Sequence, residues 1–218
     1  MQLFIDSANP KEIKEMVEIG IIDGVTTNPT LATKAGVDYN HAVKEILAMV
    51  PANVSLEVLA TEAPKMVAEA RQLSALGKNV VVKLPATEEG LKALKVVKKE
   101  GIPTNMTLVF SPNQALLAAK LGATMVSPFV GRLDDIGASG TEVVEEIRQI
   151  YDNYAFETKI LFASVRSPLH VKQAAIIGCE IATCPYEVLK SLIKHPLTDV
   201  GLKKFLDDFK NSGQKPLV

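Results

Sequence analysis

Short apolar segments, many of them rich in β-branched residues, recur along the whole chain. Each is followed by a longer segment whose apolar residues are three and four positions apart, the spacing of one helix face. This alternation predicts parallel strands that are joined by helices. The predicted strands are eight in number and cover residues 2–6, 24–28, 54–59, 80–85, 104–109, 125–130, 159–164 and 180–185.

The number of predicted strands indicates the architecture. Eight strand-helix units without a hairpin signal favour an α/β fold of the TIM-barrel type, (β/α)8, over an open doubly wound sheet. The open sheet is the alternative, but the sequence lacks the G-x-G-x-x-G turn of dinucleotide-binding sheets and also lacks a P-loop. We therefore expect residues 1–218 to form a single barrel domain.

One more helical segment follows the eighth unit, over residues 198–210. Leu202, Phe205, Leu206 and Phe209 recur there at helical spacing and form an apolar stripe. The stripe has two interpretations, since it can pack on its own barrel or on a neighbouring subunit. A complete barrel already has its outer ring of helices. The second interpretation predicts an additional C-terminal helix that makes contacts in a homo-oligomer.

Composition and charge narrow the classes of partner. The chain is 47% hydrophobic and 22% charged, with a formal net charge of −1. A nucleic-acid or anionic-membrane surface would normally give a basic excess, so we expect neither partner. No apolar run approaches the roughly 18 residues of a membrane span, and the first residues do not resemble a signal peptide. We expect a cytoplasmic protein.

The cysteines and histidines give no support to a metal site. Cys179 and Cys184 are the two cysteines, and we expect them to be ordinary small residues of the interior. The three histidines, His41, His170 and His195, lie in predicted helices or at their ends, and His195 is expected to end a helix. An imidazole-rich metal site is therefore not expected. We expect no metal and no cofactor.

Several predicted strands contain polar residues where a barrel strand should be apolar on both faces. Because side chains alternate along a strand, these residues share one face, and aliphatic residues occupy the other. The aliphatic face, expected to meet the helices, contains Val25, Leu56, Val58, Leu108 and Val126. The other face should point into the barrel at the carboxyl-terminal strand ends, where such barrels build active sites. It contains Asp6, Thr26, Asn28, Ser55, Glu57, Asn105, Thr107, Ser127 and Phe129.

Lys83 is the most informative polar residue. It lies in the segment VVVKLP, whose aliphatic neighbours indicate burial. A lysine is rarely buried without a partner, and burial disfavours its charged form. The neutral amine is a nucleophile toward carbonyl carbon. The alternative is a lysine that reaches solvent at a strand end or forms an ion pair with Glu57 or Asp6; the two carboxylates from other strands favour the nucleophile.

The arginines predict a phosphate site. The chain has only four arginines among its 24 basic residues, and Arg71 and Arg148 fall in predicted helices. Arg132 and Arg166 each lie two residues past a predicted strand end. A guanidinium group binds phosphate in a bidentate way that lysine cannot reproduce. Two solvated loop charges are the alternative, and a phosphorylated substrate is the favoured interpretation.

These residues make the sequence recognisable, since it closely resembles the small, single-barrel transaldolase family, which also contains fructose-6-phosphate aldolases. The resemblance runs nearly from end to end and includes His195-Pro196 before the last helix. A set of matches of this length is far more specific than a single motif. The matching stretches are FID at 4–6, DGVTTNPTL at 23–31, VVKLP at 81–85, TNMTLVF at 104–110 and SPFVGRLDD at 127–135.

The resemblance implies transfer of a dihydroxyacetone unit from sedoheptulose 7-phosphate to glyceraldehyde 3-phosphate, in the pentose phosphate pathway. It implies that Lys83 forms the Schiff base and that Asp6 is the base for carbon–carbon cleavage. Glu57, through a water shared with Thr107, would move protons. The resemblance further implies substrate-binding roles, with the phosphate held by the last three of the following residues: Thr26, Asn28, Asn105, Ser127, Phe129, Arg132, Ser164 and Arg166. A homo-oligomer, pentamer or decamer, is implied as well.

Two positions separate the branches of this family. The resemblance implies that the aldolases of this family have glutamine and tyrosine at the positions where this chain has Glu57 and Phe129. The transferase is therefore favoured over the aldolase. A carboxylate exchanges protons and an amide does not. A catalytically silent sugar-phosphate binding protein is the third hypothesis, and the intact polar set disfavours it. A pyridoxal phosphate enzyme is disfavoured because we see no partner for the pyridine nitrogen.

Overall fold

The strands close into a barrel in which each pairs with its neighbours in chain order and the last pairs with the first. All these pairings are parallel. The structure is a computed structural model that describes residues 1–216. Leu217 and Val218, the last two residues of the predicted domain, lie outside the described residues. The predicted (β/α)8 barrel is confirmed.

The described part of the chain contains eight strands and eleven helices. The strands are β1 Gln2–Asp6, β2 Gly24–Thr26, β3 Asn53–Glu57, β4 Val80–Pro85, β5 Thr104–Val109, β6 Met125–Pro128, β7 Lys159–Phe162 and β8 Ile181–Cys184. The helices are α1 Pro10–Ile19, α2 Pro29–Ala35, α3 Tyr39–Met49, α4 Ala63–Ser74, α5 Glu88–Lys99, α6 Pro112–Lys120, α7 Val130–Asp134, α8 Gly140–Asn153, α9 Pro168–Ile177, α10 Tyr186–Leu192 and α11 Pro196–Asn211.

Several strands end earlier than their sequence pattern predicts. β2 ends at Thr26, because Asn28 and Pro29 already begin helix α2. β6 ends at Pro128, and Val130 opens the short helix α7. In each case a residue that continues the apolar or alternating pattern belongs to the turn after the strand. These turns form the mouth of the barrel, where the site lies.

Two apolar clusters hold the barrel together. The larger one lies between strands and helices, and it includes Val25, Leu56, Val58 and Val126 of the predicted helix-facing set. The smaller one fills the inside of the barrel, with Phe4, Val81, Met125, Leu161 and Ile181 toward the amino-terminal strand ends and Ala163 just after β7. Phe4 requires Gly24 beside it, since a Cβ on that glycine would lie 2.6 Å from the ring.

The alternation along β5 is interrupted at Leu108, which the pattern places among the helix-facing residues. Its φ is 58°, an uncommon conformation for a residue other than glycine. The pairing register with β6 shifts between Met106 and Val109. Val109, not Leu108, therefore belongs to the cluster between strands and helices. The prediction for Leu108 was wrong because an irregular strand end does not keep the period of two.

The chain continues beyond the barrel as helix α11, which confirms the predicted additional helix and extends it at both ends. His195 begins this helix, and its Nδ1 accepts a hydrogen bond from the backbone N–H of Leu197 at 3.2 Å. The expectation that His195 ends a helix was wrong, since Pro196 occupies a first-turn position that favours helix starts. Over residues 1–216, no helix has the combination of length and apolar character that a membrane span needs.

Candidate active site

A cavity of about 450 Å³ opens at the carboxyl-terminal end of the barrel. Of the twelve residues predicted for the site, three do not line it: Asn28, Glu57 and Asn105. The other nine surround one volume, although they come from six different strand ends. They are Asp6, Thr26, Lys83, Thr107, Ser127, Phe129, Arg132, Ser164 and Arg166. The roles of these residues remain predictions.

Lys83 lies on β4 with 5% of its surface exposed. Its Nζ donates a hydrogen bond to Glu57 Oε2 at 3.0 Å, because β3 and β4 pair these two residues side by side. The ion pair that the sequence left open is therefore present. The same contact offers a route by which the ammonium group can pass a proton to a carboxylate. An amine needs that step before it attacks a carbonyl carbon.

Asp6 ends β1 and faces the same cavity. Its Oδ1 accepts a hydrogen bond of 2.6 Å from the hydroxyl of Thr26. Burial raises the pKa of Asp6 above its ordinary value of 3.8, while the hydrogen bond from Thr26 and the charge of Lys83 act against the rise. A carboxylate with a raised pKa holds a proton more strongly, so it is better suited to act as a general base near neutral pH.

Thr107 lies on β5 with 1% of its surface exposed. Its hydroxyl faces the cavity and has no hydrogen-bond partner among the described residues. A buried hydroxyl without a partner is costly, so polar side chains in such positions normally bind water or a ligand. Thr107 can therefore hold a water or a substrate hydroxyl beside Lys83.

The two predicted asparagines occupy the rim and the interior. Asn28 precedes α2, and its Oδ1 accepts a hydrogen bond of 2.9 Å from the backbone N–H of Leu31. The cap uses the carbonyl oxygen and leaves the amide NH₂ group as a donor. Asn105 is fully buried behind Ser127, whose hydroxyl donates to Asn105 Oδ1 at 2.6 Å. Asn105 does not line the cavity itself, but it fixes the position of Ser127, which does.

The loops that follow β6 and β7 approach each other unusually closely. A Cβ on Gly131 would lie 2.1 Å from the carbonyl oxygen of Ser164, so this position requires glycine. Ser164 has a φ of 59°, a conformation that costs a residue with a Cβ about 1 to 3 kcal/mol. Strain of this size persists only where the surroundings impose it. The two loops thereby bring Arg132 and Arg166 to one side of the cavity.

Each of the two arginines has a partner that orients it. The guanidinium group of Arg132 lies over the ring of Phe129, with 4.8 Å from Cζ to the ring centroid. Arg166 Nη2 donates to Asp135 Oδ2 at 2.9 Å. A guanidinium group has five N–H donors, so both arginines retain donors for an anion. At the predicted phosphate site, two oriented guanidinium groups therefore line the same cavity.

The structure adds residues that the sequence reasoning missed. Thr183 of β8 lines the cavity, and its hydroxyl lies 2.6 Å from that of Thr26. Thr183 is the polar residue of a short apolar strand. The same signal identified the predicted site residues on the other strands. Lys34, in the last turn of α2, also lines the cavity, but a lysine on a helix carries no signal of this kind.

The cysteines are free and buried. Burial raises the pKa of both thiols to about 12, so they are protonated and unreactive at neutral pH. Among residues 1–216, no group of three or more histidine, cysteine, aspartate or glutamate side chains is arranged to hold a metal ion. His170 is the histidine that lies near the loops after β6 and β7, where its Nε2 is 3.1 Å from Asp134 Oδ2.

The chain matches one protein family over nearly its whole length. The family described as transaldolase/fructose-6-phosphate aldolase matches residues 3–215. The chain belongs to this family. The resemblance that the sequence stretches indicated is therefore confirmed, and it extends over the barrel and over α11.

Relatives at high identity decide between the two branches of the family. A probable transaldolase of Aquifex aeolicus is 56% identical over 99% of this chain and 100% of its own length. Another, of Thermoplasma volcanium, is 56% identical over 96% of both chains. A third, of Hydrogenobaculum, is 55% identical over 99% of this chain and 100% of its own. These matches support a transaldolase-type transferase and do not favour the aldolase.

Solved structures of distant proteins share only the fold. A flavocytochrome b2 variant with pyruvate bound has a TM-score of 0.61 at 13% identity, covering 85% of this chain and 56% of that chain. The present chain thus spans little more than half of that protein. A thiamine phosphate pyrophosphorylase from Pyrococcus furiosus has a TM-score of 0.57 at 13% identity, covering 84% and 85%. Barrels of this kind host many chemistries, so the function is argued from the site.

Proposed function

We propose that this protein is a transaldolase that moves a dihydroxyacetone unit from sedoheptulose 7-phosphate to glyceraldehyde 3-phosphate. The products are erythrose 4-phosphate and fructose 6-phosphate. One observation carries the proposal: the buried amine of Lys83 lies 3.0 Å from the carboxylate of Glu57, beside a cavity that also contains Asp6 and two arginines. A nucleophile, two proton-transfer groups and an anion site thus meet in one volume.

The first stage is formation of the Schiff base. Lys83 gives a proton to Glu57, and its free amine attacks the ketose carbonyl carbon to form a carbinolamine. Glu57 returns the proton to the departing hydroxyl, which leaves as water. Thr107 holds that water, since its buried hydroxyl faces the cavity without a partner among the described residues. The product is an iminium ion on Lys83.

The second stage breaks and remakes a carbon–carbon bond. Asp6 takes the proton of the C4 hydroxyl, the C3–C4 bond breaks, and its electron pair moves to the iminium nitrogen to give an enamine. The aldehyde leaves as erythrose 4-phosphate. The enamine then attacks glyceraldehyde 3-phosphate, and protonated Asp6 gives its proton to the new alkoxide. Hydrolysis of the Schiff base releases fructose 6-phosphate and restores Lys83.

The remaining residues orient the sugar. Arg132, Ser164 and Arg166 bind the phosphate, which places the reacting carbon near Lys83. The other polar groups, from Thr26, Asn28, Asn105 and Ser127, hold or support the hydroxyls of the dihydroxyacetone unit, and Phe129 forms part of the wall. Correct orientation removes much of the entropic barrier of a reaction between two groups.

Trapping with borohydride tests the nucleophile. The protein is reduced in the presence of fructose 6-phosphate, and peptide mass spectrometry locates the adduct. A reduced Schiff base on Lys83 is expected, and Lys78, which precedes the same strand, serves as the internal control. Lys83 that stays unmodified while fructose 6-phosphate is consumed would overturn the mechanism.

A paired assay tests the reaction type. Release of free dihydroxyacetone from fructose 6-phosphate is measured without an acceptor, and transfer is measured with erythrose 4-phosphate. A transferase gives fast transfer and slow release. Equal rates in both assays would mean an aldolase, and binding of the sugar without either reaction would mean a silent binding protein.

Helix α11 supports a proposal about assembly. It has no buried residue, although its sequence is rich in large apolar side chains. Six of these are exposed: Leu197, Val200, Leu202, Phe205, Leu206 and Phe209. A contiguous apolar face of this kind is typical of an interaction site. We therefore assign it to contacts in a homo-oligomer, a pentamer or decamer as the family resemblance implies.

Light scattering on two variants tests that assembly. Removal of the chain after His195 is expected to reduce the mass of the particle to that of one subunit or a small fraction of the assembly. Phe205→Asp should do the same with a full-length chain, and Lys203→Gln on the same helix, which also lowers the net charge by one, is the charge-matched control. An unchanged mass in Phe205→Asp would exclude this role.

Two further expectations concern the location of the protein in the cell and the number of its domains. We assign the protein to the cytoplasm, because free cysteines are typical of reducing compartments. We also take residues 1–218 as one domain, with α11 as its appendage. Cell fractionation tests the first assignment, and a single cooperative unfolding transition tests the second.

A further inference from the structure

His170 is a partly buried polar group that the proposed mechanism does not use. It lies in the first turns of α9 with 14% of its side chain exposed. Its ring sits between the two loops of the phosphate site. Nε2 is 3.1 Å from Asp134 Oδ2, on the helix that carries Arg132. Nδ1 is 3.2 Å from the backbone nitrogen of Arg166, on the loop after β7.

The two contacts define which ring nitrogen of His170 carries the proton. A backbone N–H can only donate, so Nδ1 of His170 accepts from Arg166 and carries no proton. Nε2 therefore carries the proton, and it lies 3.1 Å from Asp134 Oδ2. The other oxygen of Asp134 accepts from the backbone N–H of Gly140 at 3.0 Å. One continuous set of polar contacts thus joins the Arg166 loop to α7 and to the start of α8.

The Arg166 loop needs such an anchor. Ser164, two residues earlier, is in the strained left-handed conformation. The side chain of Arg166 is 53% exposed, and its ion pair is with Asp135. Asp135 and Asp134 are neighbours, so one pair of aspartates holds Arg166 twice. Asp135 holds the guanidinium group directly, and Asp134 holds the backbone through His170.

We infer that His170 is a positioning residue for the phosphate-binding Arg166, with Asp134 as its support. The inference rests on the proposed phosphate site. His170 does not touch the substrate; it keeps the loop in place before the phosphate arrives. A preorganised arginine loses less conformational freedom on binding, so phosphorylated sugars bind more tightly. Acceptors without a phosphate do not benefit.

Two substitutions separate the two ring nitrogens. Asparagine puts its amide oxygen near the position of Nδ1, so His170→Asn can still accept from the Arg166 backbone. Glutamine reaches the position of Nε2, so His170→Gln keeps the donor to Asp134 and loses the acceptor for Arg166. His41→Gln is the matched control, since His41 is an exposed helix residue whose Nε2 contacts Glu45 at 3.2 Å.

Three quantities are measured for each variant: the KM for glyceraldehyde 3-phosphate, the kcat/KM for unphosphorylated glyceraldehyde, and the dissociation constant of inorganic phosphate by calorimetry. In His170→Gln, we expect the first and third to rise by about 3- to 10-fold, the range of one lost hydrogen bond. The second should change by less than about twofold, since it involves no phosphate. His170→Asn should recover most of the phosphate affinity.

Two results would overturn the inference. One is an unchanged phosphate dissociation constant in His170→Gln, and the other is an equal loss for both acceptors in both variants, which is the result of a general structural role. Thermal unfolding establishes whether each variant is folded. If His170→Gln is not folded, His170→Ala is measured in its place. Phosphate binding does not require turnover, so it tests His170 even if the wild-type protein fails the transfer assay.

Discussion

The two layers inside the barrel are made by the same strands, yet they differ in almost every side chain. The lower layer, toward the amino-terminal strand ends, is apolar: Phe4, Val81, Met125, Leu161 and Ile181. Two residues further along, four of these five strands carry a polar side chain of the upper layer: Asp6, Lys83, Ser127 and Thr183. One step of the strand period separates a filled core from the candidate active site.

The difference between the layers shows how polar groups are accommodated at the centre of a barrel. A buried charge without partners is very costly, so Lys83 and Asp6 need groups that pair with them. Neighbouring strands supply them in register, as Glu57 beside Lys83 and Thr26 beside Asp6. The apolar layer below excludes water from that side. Stability and chemistry are thus expected to depend on different layers.

The largest expected effect comes from Asp6→Asn in the upper layer. Loss of the general base should reduce the rate of transfer by about 10²- to 10⁴-fold. The same change should stabilise the protein at pH 7. Because burial raises the pKa of Asp6 in the folded protein, ionisation costs stability as the pH rises from 3.8 through the folded pKa, and asparagine removes that cost.

Steady-state kinetics and denaturant unfolding at pH 4 and pH 7 check both parts of this prediction. The stability difference between the variant and the wild type should be larger at pH 7 than at pH 4. Thr26 can still donate to the amide oxygen, so the local structure should persist. A variant that is less stable at pH 7 than the wild type would show that the contacts of Asp6 with Thr26 and Lys83 outweigh the cost of burying its charge.

Phe4→Ala in the lower layer is expected to have a smaller effect on activity than Asp6→Asn. It should lower the fraction of molecules that are folded. Phe4 is fully buried, and truncation leaves a cavity that typically costs about 3 to 5 kcal/mol in the free energy of unfolding. Urea unfolding measures this loss. The transfer rate per folded molecule should change little at a temperature where the variant is folded.

The control is Leu76→Ala, which removes an apolar side chain that is 52% exposed. It should lower the free energy of unfolding by less than about 1 kcal/mol. If Phe4→Ala reduced the transfer rate as strongly as Asp6→Asn, the separation of the two layers would be refuted.

The smallest effect is expected from Lys34→Met at the rim of the cavity. Lys34 lines the cavity, and its charge should attract phosphorylated sugars. We expect the KM for glyceraldehyde 3-phosphate to rise by about 2- to 5-fold at low salt, and the difference to shrink at about 0.5 M salt because exposed charges are screened. Lys44→Met, an exposed lysine of α3, is the control. Equal effects of both variants would assign the change to net charge.

The sequence carries much of the fold because a barrel repeats one simple pattern. Apolar strands buried on both faces make a polar residue conspicuous, and that signal found Asp6, Lys83 and Ser127. It fails where the strand period ends. Leu108 follows a shift in register, and Asn28 has already become a helix cap.

Other parts of the site depend on distance through space. Lys34 reaches the cavity from a helix, so no strand pattern marks it. The contact of His170 with the Arg166 backbone joins a helix to the loop before it, and the contact with Asp134 joins segments that are far apart in sequence. Hydrogen bonds of this kind are set by the packing of loops, which composition and periodicity do not encode.

Closure of the barrel has a consequence for synthesis of the chain. β1 finds its second neighbour only in β8, so Ile5 pairs with Cys184 across most of the sequence. A ribosome has to deliver nearly the whole polypeptide before Thr183 can reach Thr26, whose hydroxyl binds Asp6. Such distant pairings are slow to form. Incomplete chains that end before β8 should therefore expose two unpaired strand edges, and cellular quality control can recognise them as unfinished.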